Sequence, residues 1–393
     1  MSFASNWNTL LPRWLAFGLA WWLAGMLVLP TSKLYQQGLI LLFWLPGLLA
    51  LLTSAQVRRG WWQPASLLLG LFALWSAASL LWSETPADPG ELKIFLYVAL
   101  ATNAVLALAC LDPERLWRSL AMLGLLVGLL AWLSLQNLYG LELQPWTARA
   151  VGTGLVNHPI LAGQLFGIMG ILLLCLRQYL PSWLKGVPWY VSLAGYLAFL
   201  LMTQSRGPWI AVCATILLAP FWERGFRPLA LAGATCLTLL VVAWFWPDLL
   251  LQRGFSYRPD LIEQALLKIQ EHPWLGIGFA SPYLLPVPAQ GVSYEHAHNL
   301  YLHIAVLLGM VGLAGWLLLY GWAALWAWRL RDSVQGRLCL SLLCFAGIAL
   351  FTDGVGPWVK PREEWFCLWL PLFLCMAGAA LRNRACIRER EIA

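Results

Sequence analysis

Apolar residues run through this chain in long blocks, where a water-soluble domain would show alternation or amphipathic stripes. Twelve blocks can be drawn, at 14–31, 36–54, 62–83, 93–111, 116–138, 159–178, 186–203, 208–222, 228–246, 299–326, 338–352 and 364–382. About 20 helical residues cross a hydrocarbon core of ~30 Å, so the blocks predict membrane-spanning helices, the eighth and eleventh being the shortest. The first block leads straight into the next without a small-residue cleavage site, and predicts a first span rather than a signal peptide. Most connections are a handful of residues. Two are longer, 139–158 and 247–298, and a long loop in a compact protein usually carries function. Within the second, "RPDLIEQALLKIQEHPWLGIGF" places Leu261, Ile262, Ala265, Leu266 and Ile269 at helical spacing. Pro259 suits the first turn, and Pro273 and Gly276 end the pattern. This predicts a short interfacial helix lying against the bilayer. No repeat or low-complexity tract divides the chain, so residues 1–393 are expected to form a single membrane domain.

Composition agrees with the blocks: 61% of the 393 residues are hydrophobic, 11% are charged, and mean hydropathy is +0.70. The net charge of +7 gains meaning from its placement. With the N-terminus inside, the twelve spans put 16 of the 25 Lys and Arg but only 6 of the 18 Asp and Glu on the inner side. Positive-inside bias therefore predicts both termini in the cytoplasm. The basic excess is a topology signal and implies no nucleic-acid partner. Trp61, Trp62, Trp82 and Trp183 fall near span ends, at headgroup level. None of the nine cysteines lies in a predicted external loop, so they are expected to pack as small apolar residues and not to form a disulfide framework.

Four polar clusters share the outer side: "GLVNHPILAGQL" around His158, "MTQSRGPW" around Arg206, "RGFSYRPD" with Arg253, Tyr257 and Arg258, and "EHAHNLYLH" with His296, His298 and His303. Each lies at a span end or in a flanking loop, so all could converge on one cavity. Ionisable groups near membrane depth are expensive enough that function is the default hypothesis. Arg206 could instead be a snorkelling anchor, although an arginine on the outer side runs against the positive-inside bias. A guanidinium fork matches phosphate oxygens and stays charged, and two of them, Arg206 and Arg258, would suit a diphosphate.

A neutral imidazole at His298 could take a proton from an attacking hydroxyl; the plainer alternative is that His298 caps the helix that follows. Asn299 comes next, and Gly309 and Gly312 lie further along that helix, where small residues would let another helix approach. His296 and His298 are a poor metal pair, because residues i and i+2 of a helix point apart and no further ligand set of usual spacing follows; no metal and no cofactor are expected. His303 and His272 read as packing and loop-shaping residues, and His158 lies nearer the cavity. Asp353 is a candidate helper. Glu363 and Glu364 are expected to be solvated carboxylates.

His298-Asn299, nine residues, then Gly-x-x-Gly resembles the signature of bacterial O-antigen ligases and the related O-antigen polymerases. "TQSRGPW" resembles the family's Ser-Arg-Gly segment, and "RPDLIEQALLKIQEHPWLGIGF" the stretch after its second arginine. The motifs cover roughly residues 150–312. The resemblance implies an inner-membrane glycosyltransferase of the lipid-carrier-dependent (GT-C) type with twelve helices, acting at the periplasmic face. It would take a glycan from undecaprenyl diphosphate and join it to a lipid A-core sugar, with membrane lipids as surroundings. Carried onto this chain, Arg206 and Arg258 would hold the diphosphate and His298 would be the general base. The remaining substrate-binding candidates are His158, Tyr257, His296, Asn299 and Asp353. With arginines neutralising the phosphates no metal is required, and direct attack by the acceptor predicts inversion. A polymerase and a ligase that glycosylates a protein such as a pilin share the signature and stay open. From another class, a transporter or flippase fits the span count, but would show two similar halves and broken helices near the midplane.

Overall fold

The computed structural model describes residues 2–85, 89–245, 257–287 and 291–392. Helices dominate because backbone N–H and C=O groups surrounded by apolar side chains find no partners except one another. Among the described residues, ten helices are long and apolar enough to cross a membrane. The chain is an all-α polytopic membrane protein. Two further apolar helices, Val187–Thr203 and Arg206–Phe221, are shorter. The short members are thus the seventh and eighth blocks, and the eleventh, expected to be short, reaches 19 residues. Its apolar run understates it: the polar turn Val334–Arg337 is also helical, started by Ser333 Oγ, which accepts from Gly336 N–H at 3.0 Å.

Burial ranks the spans. In Trp365–Arg382, 89% of the apolar window is buried, against 6% in Phe226–Phe245, so the last span is central and Phe226–Phe245 peripheral. The centre is aromatic: Trp22 meets Phe43, Trp365, Phe366 and Phe373 at ring centroids of 5.7 to 6.4 Å. Trp369 joins Trp316, Trp358 and Phe373 beside them. Cys110, Cys339, Cys367 and Cys375 are buried packing residues, whereas Cys236 is exposed on the peripheral helix.

The helix Leu300–Arg329 is broken at Gly309, whose φ of 66° and ψ of −173° are open essentially to glycine alone. The loop 273–278 fills the break. Met310 N–H donates to Pro273 O at 2.9 Å, and the N–H groups of Ile277 and Gly278 donate to Val306 O and Leu307 O at 3.0 and 2.9 Å. The Trp75 indole donates to Leu308 O at 3.0 Å. The polar groups freed by the break are therefore answered, as an apolar setting demands. The fit leaves no space: a Cβ on Gly309 would lie 2.1 Å from Trp274 O, and one on Gly276 2.4 Å from Leu307 O. What the glycine motif admits is a loop and not a second helix, and Gly312 faces Leu308 of its own helix. The same loop is stitched to the end of Pro64–Ala78 and the turn after it, with Phe279 N–H donating to Ser79 Oγ and Ala280 N–H to Ser83 Oγ.

The helix Arg258–Glu271 forms as expected, with Pro259 in its first turn. It packs on the protein through Leu261 and Ala265, while Ile262 and Leu266 stay exposed. Only one strip of the predicted apolar face is thus buried, against Leu300–Arg329 and the strand Leu285–Val287. That strand pairs antiparallel with Val292–Tyr294, a hairpin the sequence pattern does not announce. Arg253 lies outside the described residues.

Candidate active site

His158, Arg206, Arg258, His298 and Asp353 all sit at helix ends on one side of the bundle. His158 caps Pro159–Leu176, Arg206 and Arg258 are the first residues of Arg206–Leu218 and Arg258–Glu271, and Asp353 ends Val334–Thr352. Three of these helices direct their N-termini toward this side, which favours negative charge, and an arginine begins two of them.

His298 and Asp353 form the centre. His298 Nδ1 lies 2.9 Å from Asp353 Oδ1. With the carboxylate accepting from Nδ1–H, the Nε2 lone pair is left as the acceptor, a tautomer assigned from the partner. His298 does not cap the helix that follows. Asn299 does, its Oδ1 accepting from Tyr301 and Leu302 N–H at 3.0 and 3.1 Å. Asn299, a substrate-binding candidate by sequence, is thus 3% exposed with its carbonyl committed to the helix. The backbone of His298 is left-handed, φ 49°, a conformation rare outside glycine and asparagine. This fold-back precedes the helix and brings His296 and His298 to 4.1 Å between ring centroids, so the helical premise that separated them does not hold. His296 Nδ1 accepts from His298 N–H at 3.3 Å. Burial first, then the neighbouring His298, holds the His296 pKa below its usual value, so the ring favours its neutral form. Among the described residues no three His, Cys, Asp or Glu side chains gather as a metal ligand set.

Tyr257 and Tyr294 wall the histidine. Their rings stack at 4.5 Å, and both present to His298 edgewise, at 6.3 and 5.8 Å. The Tyr257 hydroxyl is pushed up, first by its hydrogen bond with Tyr294 and then by burial, and it feels the charges of Arg258 and Asp353. Arg258 is therefore held beside the wall by the residue before it.

Arg206 is tied in from the other flank. A Cβ on the next residue, Gly207, would lie 2.4 Å from Thr352 Oγ1, so the start of the arginine's helix abuts the residue before Asp353. Ser205 Oγ lies 3.2 Å from Pro159 O, next to His158. Arg149 joins both loops: its Nε donates to Thr203 O at 3.0 Å and its Nη2 to Ser205 Oγ at 2.7 Å. Burial lowers the His158 pKa, Asp353 opposes, and Arg149 and His298 add to the lowering, which puts these four in one electrostatic neighbourhood. His158 Nδ1 accepts from Leu161 N–H at 3.5 Å.

Sequence reasoning under-read three features. Arg149, in the loop 139–158, was not singled out. Gln164, 1% exposed, donates to Asp353 O at 2.8 Å and was not singled out. Glu363 and Glu364 are not solvated: they are 4% and 1% exposed, with Arg362 Nε at 3.4 and 2.8 Å. The contact to Glu364 is an ion contact without hydrogen-bond geometry, since both carboxylate oxygens of Glu364 lack a hydrogen-bond partner. A basic residue next to two acids at the head of an apolar run was the available signal. His303 is a packed residue as expected, its Nδ1 2.6 Å from the Tyr283 hydroxyl. A cleft of about 460 Å³ opens beside the site, lined by Asn157, Lys360, Arg362 and Glu363 among others.

The chain is thus a polytopic helical membrane protein with a histidine–carboxylate pair at the side where two helices begin with arginine. Residues 191–317 match the O-antigen ligase family, a span that includes Arg206, Arg258, His298 and Gly309. The chain is 30% identical over 329 residues to the O-antigen ligase of Pseudomonas aeruginosa, covering 81% of this chain and 79% of that protein. It belongs to the O-antigen ligase family, whose activity is that of a transferase-type enzyme.

Proposed function

We propose that this chain is a glycosyltransferase that moves a glycan from undecaprenyl diphosphate to a sugar hydroxyl of lipid A-core, at the periplasmic face of the bacterial inner membrane. The observation that carries the reading is the 2.9 Å pair of His298 and Asp353 at the side where Arg206 and Arg258 begin their helices. Asp353 orients the imidazole and stabilises it once protonated. The acceptor oxygen attacks the anomeric carbon and its proton passes to His298 Nε2. The bond from that carbon to the diphosphate breaks, and undecaprenyl diphosphate leaves with the electron pair. Arg206 and Arg258, each adding its charge to a helix N-terminus, stabilise the departing diphosphate. Their fixed positive charge meets the requirement a metal cation could otherwise meet. One displacement inverts the anomeric centre.

The positive-inside distribution supports cytoplasmic termini and a periplasmic site, and membership of the O-antigen ligase family supports reading the chain as one twelve-span, GT-C type membrane domain. Purified protein in detergent, given lipid-linked glycan and lipid A-core, is expected to transfer the glycan with inversion. Retention of the donor's configuration contradicts the single displacement. Transfer to a second lipid-linked glycan in preference to lipid A-core marks a polymerase.

A further inference from the structure

The opposite end of the bundle carries a second feature. His158 begins and Arg177 follows the helix Pro159–Leu176, and Val334 begins the helix that Asp353 ends. Eighteen residues span about 27 Å. At that far end a cleft of about 580 Å³ opens between the bundle and the peripheral helix Phe226–Phe245. Arg177, Lys185, Arg227 and Arg337 line it, against a single carboxylate, Glu223. Among the described residues none of these five takes part in an ion pair.

Four cations against one carboxylate leave the cleft with a positive excess that an entering anion would offset, and one of the four is tied to its neighbours. The Arg177 guanidinium stacks 4.6 Å over the Trp189 ring, and its Nη2 donates to Lys185 O at 2.6 Å. Its Nε is buried without a hydrogen-bond partner. Polar Gln178, Thr215 and Ser341 share the lining with apolar Ile171, Leu174, Ile216 and Leu231. Leu174 and Leu231 are 48% and 59% exposed, and Leu237 and Leu240 on the same peripheral helix are 63% exposed. A charged mouth continuous with an exposed apolar wall suits a molecule that has a phosphate at one end and acyl chains at the other. A soluble phosphate would leave that wall unused.

We infer that this cleft binds the headgroup phosphate of an anionic phospholipid from the leaflet opposite the His298 site. The inference does not depend on the proposed reaction. The test is mass spectrometry of the intact protein released from micelles holding equal amounts of phosphatidylglycerol and phosphatidylcholine. The wild type is expected to retain phosphatidylglycerol selectively. Lys185→Gln and Arg227→Gln, whose side chains make no hydrogen bond among the described residues, should each weaken retention about fivefold, and Arg227→Lys should restore it. The lipid-free melting temperature reports whether each variant is folded, and Lys185→Gln carries the comparison if Arg227→Gln is not. Equal retention of the two lipids, or undiminished retention in both glutamine variants, overturns the proposal. Displacement of phosphatidylglycerol by millimolar inorganic phosphate also overturns it, assigning the cleft to a soluble anion.

Discussion

His298 and Asp353 stand 55 positions apart in the chain, yet their side chains meet at 2.9 Å. Asp353 is a poor residue for its place: a carboxylate at a helix C-terminus opposes the helix dipole, and this one is 3% exposed. The imidazole is what makes the placement tolerable. Asp353→Asn should remove the charge that orients His298 and lower kcat roughly 100- to 10,000-fold with little change in KM for the donor. Residues acting as one unit are not additive, so His298→Ala combined with Asp353→Asn should be about as slow as His298→Ala alone. Steady-state transfer kinetics check both; fully additive losses would show that the pair does not act together.

Gly309→Ala forces a side chain into the Gly-only region of backbone space and onto Trp274 O. The strain alone is about 1–3 kcal/mol, and the variant should melt earlier and release the loop that follows the helix Arg258–Glu271. Thermal unfolding and limited proteolysis of 257–287 read both effects. A Gly309→Ala protein with parental melting and activity would mean that the loop does not depend on the break.

Asn299 separates capping from substrate contact. Asn299→Asp and Asn299→Ser keep an acceptor for the helix and should stay near parental stability, whereas Asn299→Ala should lose about 1 kcal/mol. If serine preserves stability but abolishes donor binding, the amide touches substrate after all.

Glu364 predicts a pH dependence. Burial, the largest influence, pushes its carboxyl from 4.5 up to about 7, against the lowering by Arg362. The folded chain then holds a proton that the unfolded chain has released, so this contribution is full below pH 4.5 and lost as pH rises through about 7. Glu364→Gln should flatten the fall in melting temperature between those values and exceed the wild type above pH 7. An unchanged slope would place the titration elsewhere.

Much of this was legible in the sequence, for definable reasons. Apolar blocks report spans because backbone polarity must be satisfied internally, and the start of Arg258–Glu271 was readable from Pro259. Positions that depend on tertiary contact were not. The Asp353 partner lies across the bundle, and no local pattern joins it to His298. The His296–His298 geometry turns on one left-handed residue, which reading both histidines as helical conceals. Gly309 looked like a helix-packing glycine because the loop it admits lies about thirty residues upstream. Arg149 acts through hydrogen bonds to Thr203 and Ser205, which only the folded turn brings within reach.

The central claim divides the labour: Arg206 and Arg258 hold the diphosphate, and His298, oriented by Asp353, takes the proton. The most direct measurement is paired donor binding and single-turnover transfer, with undecaprenyl-diphosphate-linked glycan, for Arg206→Ala, Arg258→Ala and His298→Ala. The account predicts that the arginine variants bind donor at least about tenfold more weakly, while His298→Ala binds it normally and transfers almost none. Parental transfer by His298→Ala, or undiminished donor binding by both arginine variants, would contradict it.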